Sequence, residues 1–203
     1  MSGEVRMIVR NIRQFKADMA RADSVRRKAG ETAVKVEGYR LMLLMRKELR
    51  EGKAGTTTLA PLSNIARYGR RNPQPLAPLA RNAVRYSSFK QGRTLKASVG
   101  FLGVRSSWSW VRLAEKLQAG FTASVDEPIR PGAGITIREY LGRRGAGIGK
   151  KSSLRKFFFL RKATRALKTP ARPVIEPFWR AHEREAERNI VANFNRKLAG
   201  ERI

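Results

Sequence analysis

The stretch Thr94-Leu95-Lys96-Ala97-Ser98-Val99-Gly100-Phe101 decides the fold class. Leu95, Ala97, Val99 and Phe101 alternate with Thr94, Lys96, Ser98 and Gly100. A period of two separates the sets onto opposite faces, which predicts a half-buried strand over 93–104. The segments on either side keep a different period. Trp110, Leu113, Ala114 and Leu117 give an apolar side to a helix over 108–119, capped by Ser107 and stopped by Gly120. Toward the N-terminus, Ile8, Ile12, Phe15, Met19, Ala22, Val25, Ala29, Ala33 and Val36 recur every three or four residues. They predict a long helix over 4–51, continuous or in two stacked pieces, with Gly30 and Gly38 as points of bending and Gly52 and Gly55 as its end. Toward the C-terminus, Trp179, His182, Ala186, Ile190, Phe194 and Leu198 mark a closing amphipathic helix, with Pro177 in its first turn and Gly200 near its end.

The remaining segments are read from their breakers. Pro61, Pro73, Pro75 and Pro78 preclude a continuous helix in 52–92, a Pro-rich basic loop region. Pro131-Gly132-Ala133-Gly134 reads as the turn of a hairpin over 121–141, with Ile135 and Ile137 on one strand face. Residues 142–153 read as a Gly-rich basic loop, and Phe157–Leu160 as the centre of a strand buried on both faces. Pro170 and Pro173 hold the chain extended before the last helix. The expected architecture is α+β, a single domain over 1–203: a long N-terminal helix, a small antiparallel β-sheet with a packed helix, and a C-terminal amphipathic helix.

Charge sets the class of partner. The 203 residues carry 44 Lys plus Arg and 16 Asp plus Glu, a net charge of +28. Residues 52–170 hold 24 basic and 4 acidic side chains, and 24 − 4 = 20 of that excess. Self-repulsion of this size weakens a compact state unless an anionic partner compensates it, so the middle of the chain reads as a polyanion-facing surface. Arg67, Arg70, Arg71 and Arg81 lie in the Pro-rich segment beside Tyr68, an aromatic read as anchoring its loop. Arg143, Arg144, Lys150 and Lys151 lie in the Gly-rich segment, suited to phosphates or to an acidic protein surface.

Catalytic chemistry is not expected. The sole histidine, His182, sits on an apolar stripe and reads as a packed residue, and the three aspartates, Asp18, Asp23 and Asp126, do not converge. A phosphate-binding loop would require glycine at 144 and a hydroxyl at 151, where the chain has Arg144 and Lys151. No metal or cofactor site is visible. The chain has no cysteine, no apolar run near the ~18 residues needed to span a bilayer, and no apolar core behind Met1 to suggest a signal peptide. It reads as a soluble protein, made in the cytoplasm and used there or packaged from it.

Two stretches carry a family resemblance. Thr169-Pro170-Ala171-Arg172-Pro173-Val174-Ile175, followed by a charged helix, resembles the close of the tail-completion and neck proteins of tailed bacteriophages, the virion-morphogenesis group. Leu113-Ala114-Glu115-Lys116-Leu117-Gln118-Ala119-Gly120 resembles that family's Ala-x-x-x-Gln-x-Gly segment. Val174 replaces the usual aromatic, and the Arg/Gly insertion at 142–153 departs from the pattern. The resemblance implies a structural virion protein at the head–tail junction. It would form a ring, most simply a hexamer, through which double-stranded DNA passes, between the connector or stopper and the tail-terminator or tail-tube proteins. Pro170, Ala171, Arg172, Pro173 and Trp179 are then the assembly-interface candidates. The alternatives are a free, sequence-independent nucleic-acid-binding protein, for DNA packaging or at the ribosome, and a tail-terminator ring.

Overall fold

A computed structural model describes residues 12–68, 74–91, 94–102, 104–105, 108–129, 132–153 and 155–203. The expected helix start over 4–11, with Ser107, Pro73 and Pro131, lies outside them. The architecture is mixed helix and strand, with small sheets between a long first helix and a last one. Helix α1 is continuous over Ile12–Glu51, and Gly52 stops it with φ of 78°. A short ribbon follows, β1 (Lys53–Ala54) paired with β2 (Thr57–Thr58). Helices α2 (Asn64–Arg67) and α3 (Ala77–Asn82) lead into β3 (Val84–Gln91) and β4 (Thr94–Phe101), which pair with each other. Strands β5 (Val104–Arg105) and β6 (Trp108–Ser109) form a minimal ribbon before α4 (Trp110–Ala119). Then come β7 (Phe121–Ser124), α5 (Ile137–Ala146), a 3-10 turn at Arg155–Phe157, β8 (Ala166–Thr169) and α6 (Ile175–Leu198).

Three sequence expectations are corrected. The Pro-rich segment contains strand β3, whose half-buried Tyr86 and Ser88 alternate with exposed Arg85, Ser87 and Phe89; its charges hid the alternation. The hairpin expected over 121–141 is reduced to a single antiparallel bridge, Pro128↔Thr136, with the Ile129 N–H donating to the Ile135 carbonyl at 3.2 Å. Strand β7 pairs antiparallel with the distant β8, from Phe121↔Thr169 to Ser124↔Ala166, while Ile137 opens a helix. The strand expected around Phe157–Leu160 is a 3-10 turn with Phe158 buried and the rings of Phe157 and Phe159 exposed.

The chain forms two compact units. The first takes α1 up to Arg40, Ser87–Ser98 and Arg184–Ile203. Small residues build its core: Ala29, Ala33 and Ala186 are buried, and Gly30 lies against Leu95. The expected stripe is covered only in part, since Met19 and Val25 remain exposed. Inside sits a carboxylate, Glu37, 1% exposed. Arg40 donates to both its oxygens, Nε at 3.0 Å to each and Nη2 at 2.7 Å to Oε1, and Nη1 reaches Glu185 at 3.0 Å. These bonds, Glu37's foremost, raise the Arg40 guanidinium above its ordinary value against the opposing effect of burial.

The second unit takes Leu41–Tyr86 and Val99–Glu183. Leu41, Met42, Met45 and Leu49 on the last turns of α1 are buried, as are Leu76, Leu79, Val84, Phe101, Val174 and Phe178. Glu48 is also buried, and both its oxygens are used. Oε1 lies 2.7 Å from His182 Nε2, and Oε2 accepts the Gly55 N–H at 2.6 Å. His182 also tilts against the Phe178 ring at 4.7 Å, so the lone histidine is packed and hydrogen-bonded. Gly55 holds φ of 57°, and a Cβ there would lie 2.4 Å from the Pro177 carbonyl oxygen and 2.7 Å from Ala181 Cβ. The turn after α1 thus meets the first turns of α6 backbone to backbone.

Gly55→Ala adds left-handed strain to a steric clash, so it is expected to cost about 2–4 kcal/mol. Gly132→Ala is the control: φ is 76° but nothing lies within 4 Å of the added carbon, so only the strain acts. Thermal melts should place Gly55→Ala well below both the parent and Gly132→Ala.

Candidate nucleic-acid interface

From Tyr140 to Ile175 the chain carries eleven Lys or Arg and no Asp or Glu. Helix α5 organises this segment. Thr136 Oγ1 accepts the Glu139 N–H at 3.2 Å, and the Glu139 carboxylate accepts the Thr136 N–H at 2.9 Å. This reciprocal cap satisfies two donors that a helix start leaves bare. Its sequence signature, Thr136-x-x-Glu139, was the signal for a helix where the Ile135/Ile137 alternation suggested a strand. Arg138 is committed to structure: it donates to Asp126 Oδ1 at 3.1 Å and to the carbonyls of Arg161 at 3.2 Å and Thr164 at 2.6 Å.

Beneath α5, Leu141, Ile148 and Phe158 form a small buried core, with Tyr68, Ile137, Leu160 and Leu167 packed against it. Tyr68 meets Phe158 edge to face at 5.2 Å, the anchoring role expected of it. Gly145 is the point of closest approach. A Cβ there would lie 2.7 Å from Phe158 Cβ and 2.9 Å from the Phe159 ring, so only glycine lets the 3-10 segment lie on the helix.

Cations and aromatics interleave on the outside. The Arg144 guanidinium lies 5.9 Å from the ring centres of Tyr68 and Tyr140. Arg155 lies 5.4 Å from the Phe159 ring, and Lys156 lies 5.4 Å from the Phe157 ring. These separations fall within cation–π range. Lys150, Ser152, Ser153, Arg155, Lys156 and Phe159 line an open cleft of about 470 Å³. A depression in the first unit is mixed in sign, with Asp23 beside Arg26, Arg27 and Lys90, and suits a polyanion less well.

The expected basic residues divide. Arg143 and Arg144 are exposed on the last turn of α5 instead of in a loop, and Lys150 and Lys151 are exposed in the turn that follows. Arg67 is exposed at the end of α2, next to the anchoring Tyr68. Arg70 and Arg71 lie outside the described residues. Sequence reasoning missed Arg155, Lys156, Phe157 and Phe159; the Phe157-Phe158-Phe159 run read as core because composition does not tell which rings face inward.

The interface candidates also divide. Trp179 is exposed on the first turns of α6, with Ile175 exposed one turn before it, and Pro170, Ala171 and Pro173 are exposed. Arg172 is turned inward, 3% exposed, so its side chain belongs to the interior and not to an assembly surface. Its Nε donates to the Ala60 carbonyl at 2.7 Å, Nη2 to Pro61 at 3.0 Å and Nη1 to Pro170 at 3.4 Å. Burial pushes its guanidinium down from the ordinary arginine value.

The stretch around Arg172 packs directly on the other stretch that carries the family resemblance. The Arg172 N–H donates to the Leu117 carbonyl at 2.9 Å, and the Ile175 N–H donates to Gln118 Oε1 at 3.2 Å. Gly120 has φ of 74°, and a Cβ there would lie 2.7 Å from the Ala171 nitrogen. Gln118 and Gly120 therefore have a structural reason: one caps the start of α6, and the other admits the extended Pro-Ala-Arg-Pro segment. Strands β7 and β8 continue the same contact.

Compared with family models, curated proteins and solved structures, the chain matches none. Among the described residues no group of three or more acidic or histidine side chains could hold a metal ion, and no helix is long and apolar enough to cross a membrane.

Arg172→Lys keeps the charge but loses the planar fork that reaches several carbonyls at once. It is expected to lower the urea midpoint by the equivalent of about 2 kcal/mol, with carbonyls left unpaired in the interior.

Proposed function

We propose that this chain is a structural protein of the head–tail junction of a tailed bacteriophage, a tail-completion or neck protein. In this reading it closes with copies of itself into a ring, six being the number the resemblance implies, and double-stranded DNA passes through that ring. It joins the connector or stopper to tail-terminator or tail-tube proteins, resides in the virion, and passes through the host cytoplasm during assembly. One observation carries the reading: the Leu113–Gly120 and Thr169–Ile175 stretches, on which the resemblance rests, pack on each other through Leu117, Gln118, Gly120 and Arg172. Two short stretches far apart in sequence thereby become one structural motif.

The charge supplies the mechanism. Exposed Arg143, Arg144, Lys150 and Lys151 meet phosphates without reading bases, so contact is independent of sequence and weakened by salt. Ring closure needs a head-to-tail contact between copies, in which one surface meets a different one. The exposed Trp179 and Ile175 supply an apolar anchor for it. A free nucleic-acid-binding protein is the second reading, and the exposed Phe157 and Phe159 rings among cations favour it.

Changing Arg143, Arg144, Lys150 and Lys151 together to Glu is expected to leave the circular-dichroism spectrum intact and to lower the melting temperature only by the loss of the Arg144 contacts with the Tyr68, Tyr140 and Phe158 rings. Particle assembly should fail, and the salt slope of duplex binding should flatten by about 0.9 for each phosphate that the chain no longer neutralises. Normal assembly of that variant would remove these residues from the mechanism. Trp179→Ala is expected to leave a folded subunit that no longer forms rings by native mass spectrometry. Recovery of the parent chain free of virions, as a monomer on RNA, would sink the junction reading.

A further inference from the structure

We propose that the cleft between the 149–153 turn and the Arg155–Phe157 turn seats one nucleotide of a single-stranded polynucleotide. Its backbone phosphate lies against Lys150, Arg155 and Lys156, and its base stacks on Phe159. This rests on the proposed function only in taking nucleic acid as the partner, and it adds the form of strand that this site selects.

The phosphate half of the site follows from charge. Three cations line the cleft, and the acid-free run from Tyr140 to Ile175 offers them no carboxylate nearby in sequence. Ser153, exposed on the rim, adds a hydroxyl donor to the same wall. A phosphodiester brings the acceptor oxygens and the negative charge that this set lacks.

The base half follows from the rings. Phe159 is 48% exposed, yet it is held in place by its seat on Gly145 and by the Arg155 guanidinium over its face. A large apolar ring fixed at the edge of a cationic cleft is the arrangement by which single-strand binders stack unpaired bases. In a duplex the base faces are already covered by neighbouring pairs, so the ring has nothing to stack on. Neighbouring Phe157, with Lys156 over it, extends the platform along the strand.

The test uses the full-length chain and three fluorescein-labelled probes at one fixed salt concentration: an oligothymidylate, an abasic strand of the same length, and a mixed-sequence duplex. Fluorescence anisotropy is expected to show the abasic strand bound about tenfold more weakly than oligothymidylate, the value of stacking one base. Phe159→Leu keeps an apolar side chain and removes the stacking face. It should weaken oligothymidylate binding by about tenfold and leave the abasic strand and the duplex within about twofold of the parent. Equal binding of abasic and thymidylate strands by the parent would overturn the proposal, and that comparison needs no variant to fold. An equal loss on all three probes in a Phe159→Leu chain with an unchanged melting curve would overturn it too. If the parent binds the duplex normally while showing no preference for bases, the proposed function stands and only this inference falls. If it binds none of the probes, the DNA contact in the proposed function falls with it.

Discussion

A buried guanidinium fastened to carbonyl oxygens is the contact on which the second unit depends. Arg172 gathers Ala60, Pro61 and Pro170 around one planar group, while its own N–H closes onto Leu117. The loop after β2, the end of β8, the end of α4 and the start of α6 therefore share one fixed point. None of these segments is long enough to be stable alone, and a fork of donors is among the few groups able to hold several at once. The cost is a charge removed from water without a carboxylate bonded to it, reflected in the downward shift of its proton affinity. The flanking Pro170 and Pro173 reduce the disorder that this arrangement must overcome.

About half of the 16 acids of this basic chain are engaged with the chain itself, Glu51 with Lys53 among them. Glu37, Glu48, Asp126, Glu139, Glu176, Glu185 and Glu201 each bind an arginine, a histidine or a backbone amide of the same molecule. Neutralisation is thus local and serves folding, while Arg143 and Arg144 stay exposed on the last turn of α5. Cations over aromatic rings achieve the same separation without using carboxylates.

Much of this was legible in the sequence, and the failures have physical causes. The three long-period helices and β4 followed from apolar spacing, and the stop at Gly52 from its conformational freedom. Helix α5 was hidden because Gly142, Gly145, Gly147 and Gly149 argue against a helix, although Gly145 is there for a close ring contact. Strand β8 was hidden because its partner lies far away in sequence, and local pattern carries no record of distant pairing. At the candidate site the exposed cations were anticipated. The inward turn of Arg172 and the outward turn of Phe159 were not, since each opposes the ordinary preference of its residue type.

The pairing of Ser124 with Ala166 gives the basic segment a single doorway. Everything from Val125 to Arg165 enters and leaves between two adjacent strand ends, with the Val125 N–H bonded to the Arg165 carbonyl at the threshold. Most of the segment's buried core, Leu141, Ile148 and Phe158, travels with it. A piece so connected is a cassette: the ladder can close over a longer, shorter or differently charged version without rewiring the rest. The Arg/Gly stretch that sets this chain apart from the pattern it resembles lies inside that cassette. Evolution could thus alter what the molecule touches by exchanging one insert while the scaffold that holds its ends stays the same.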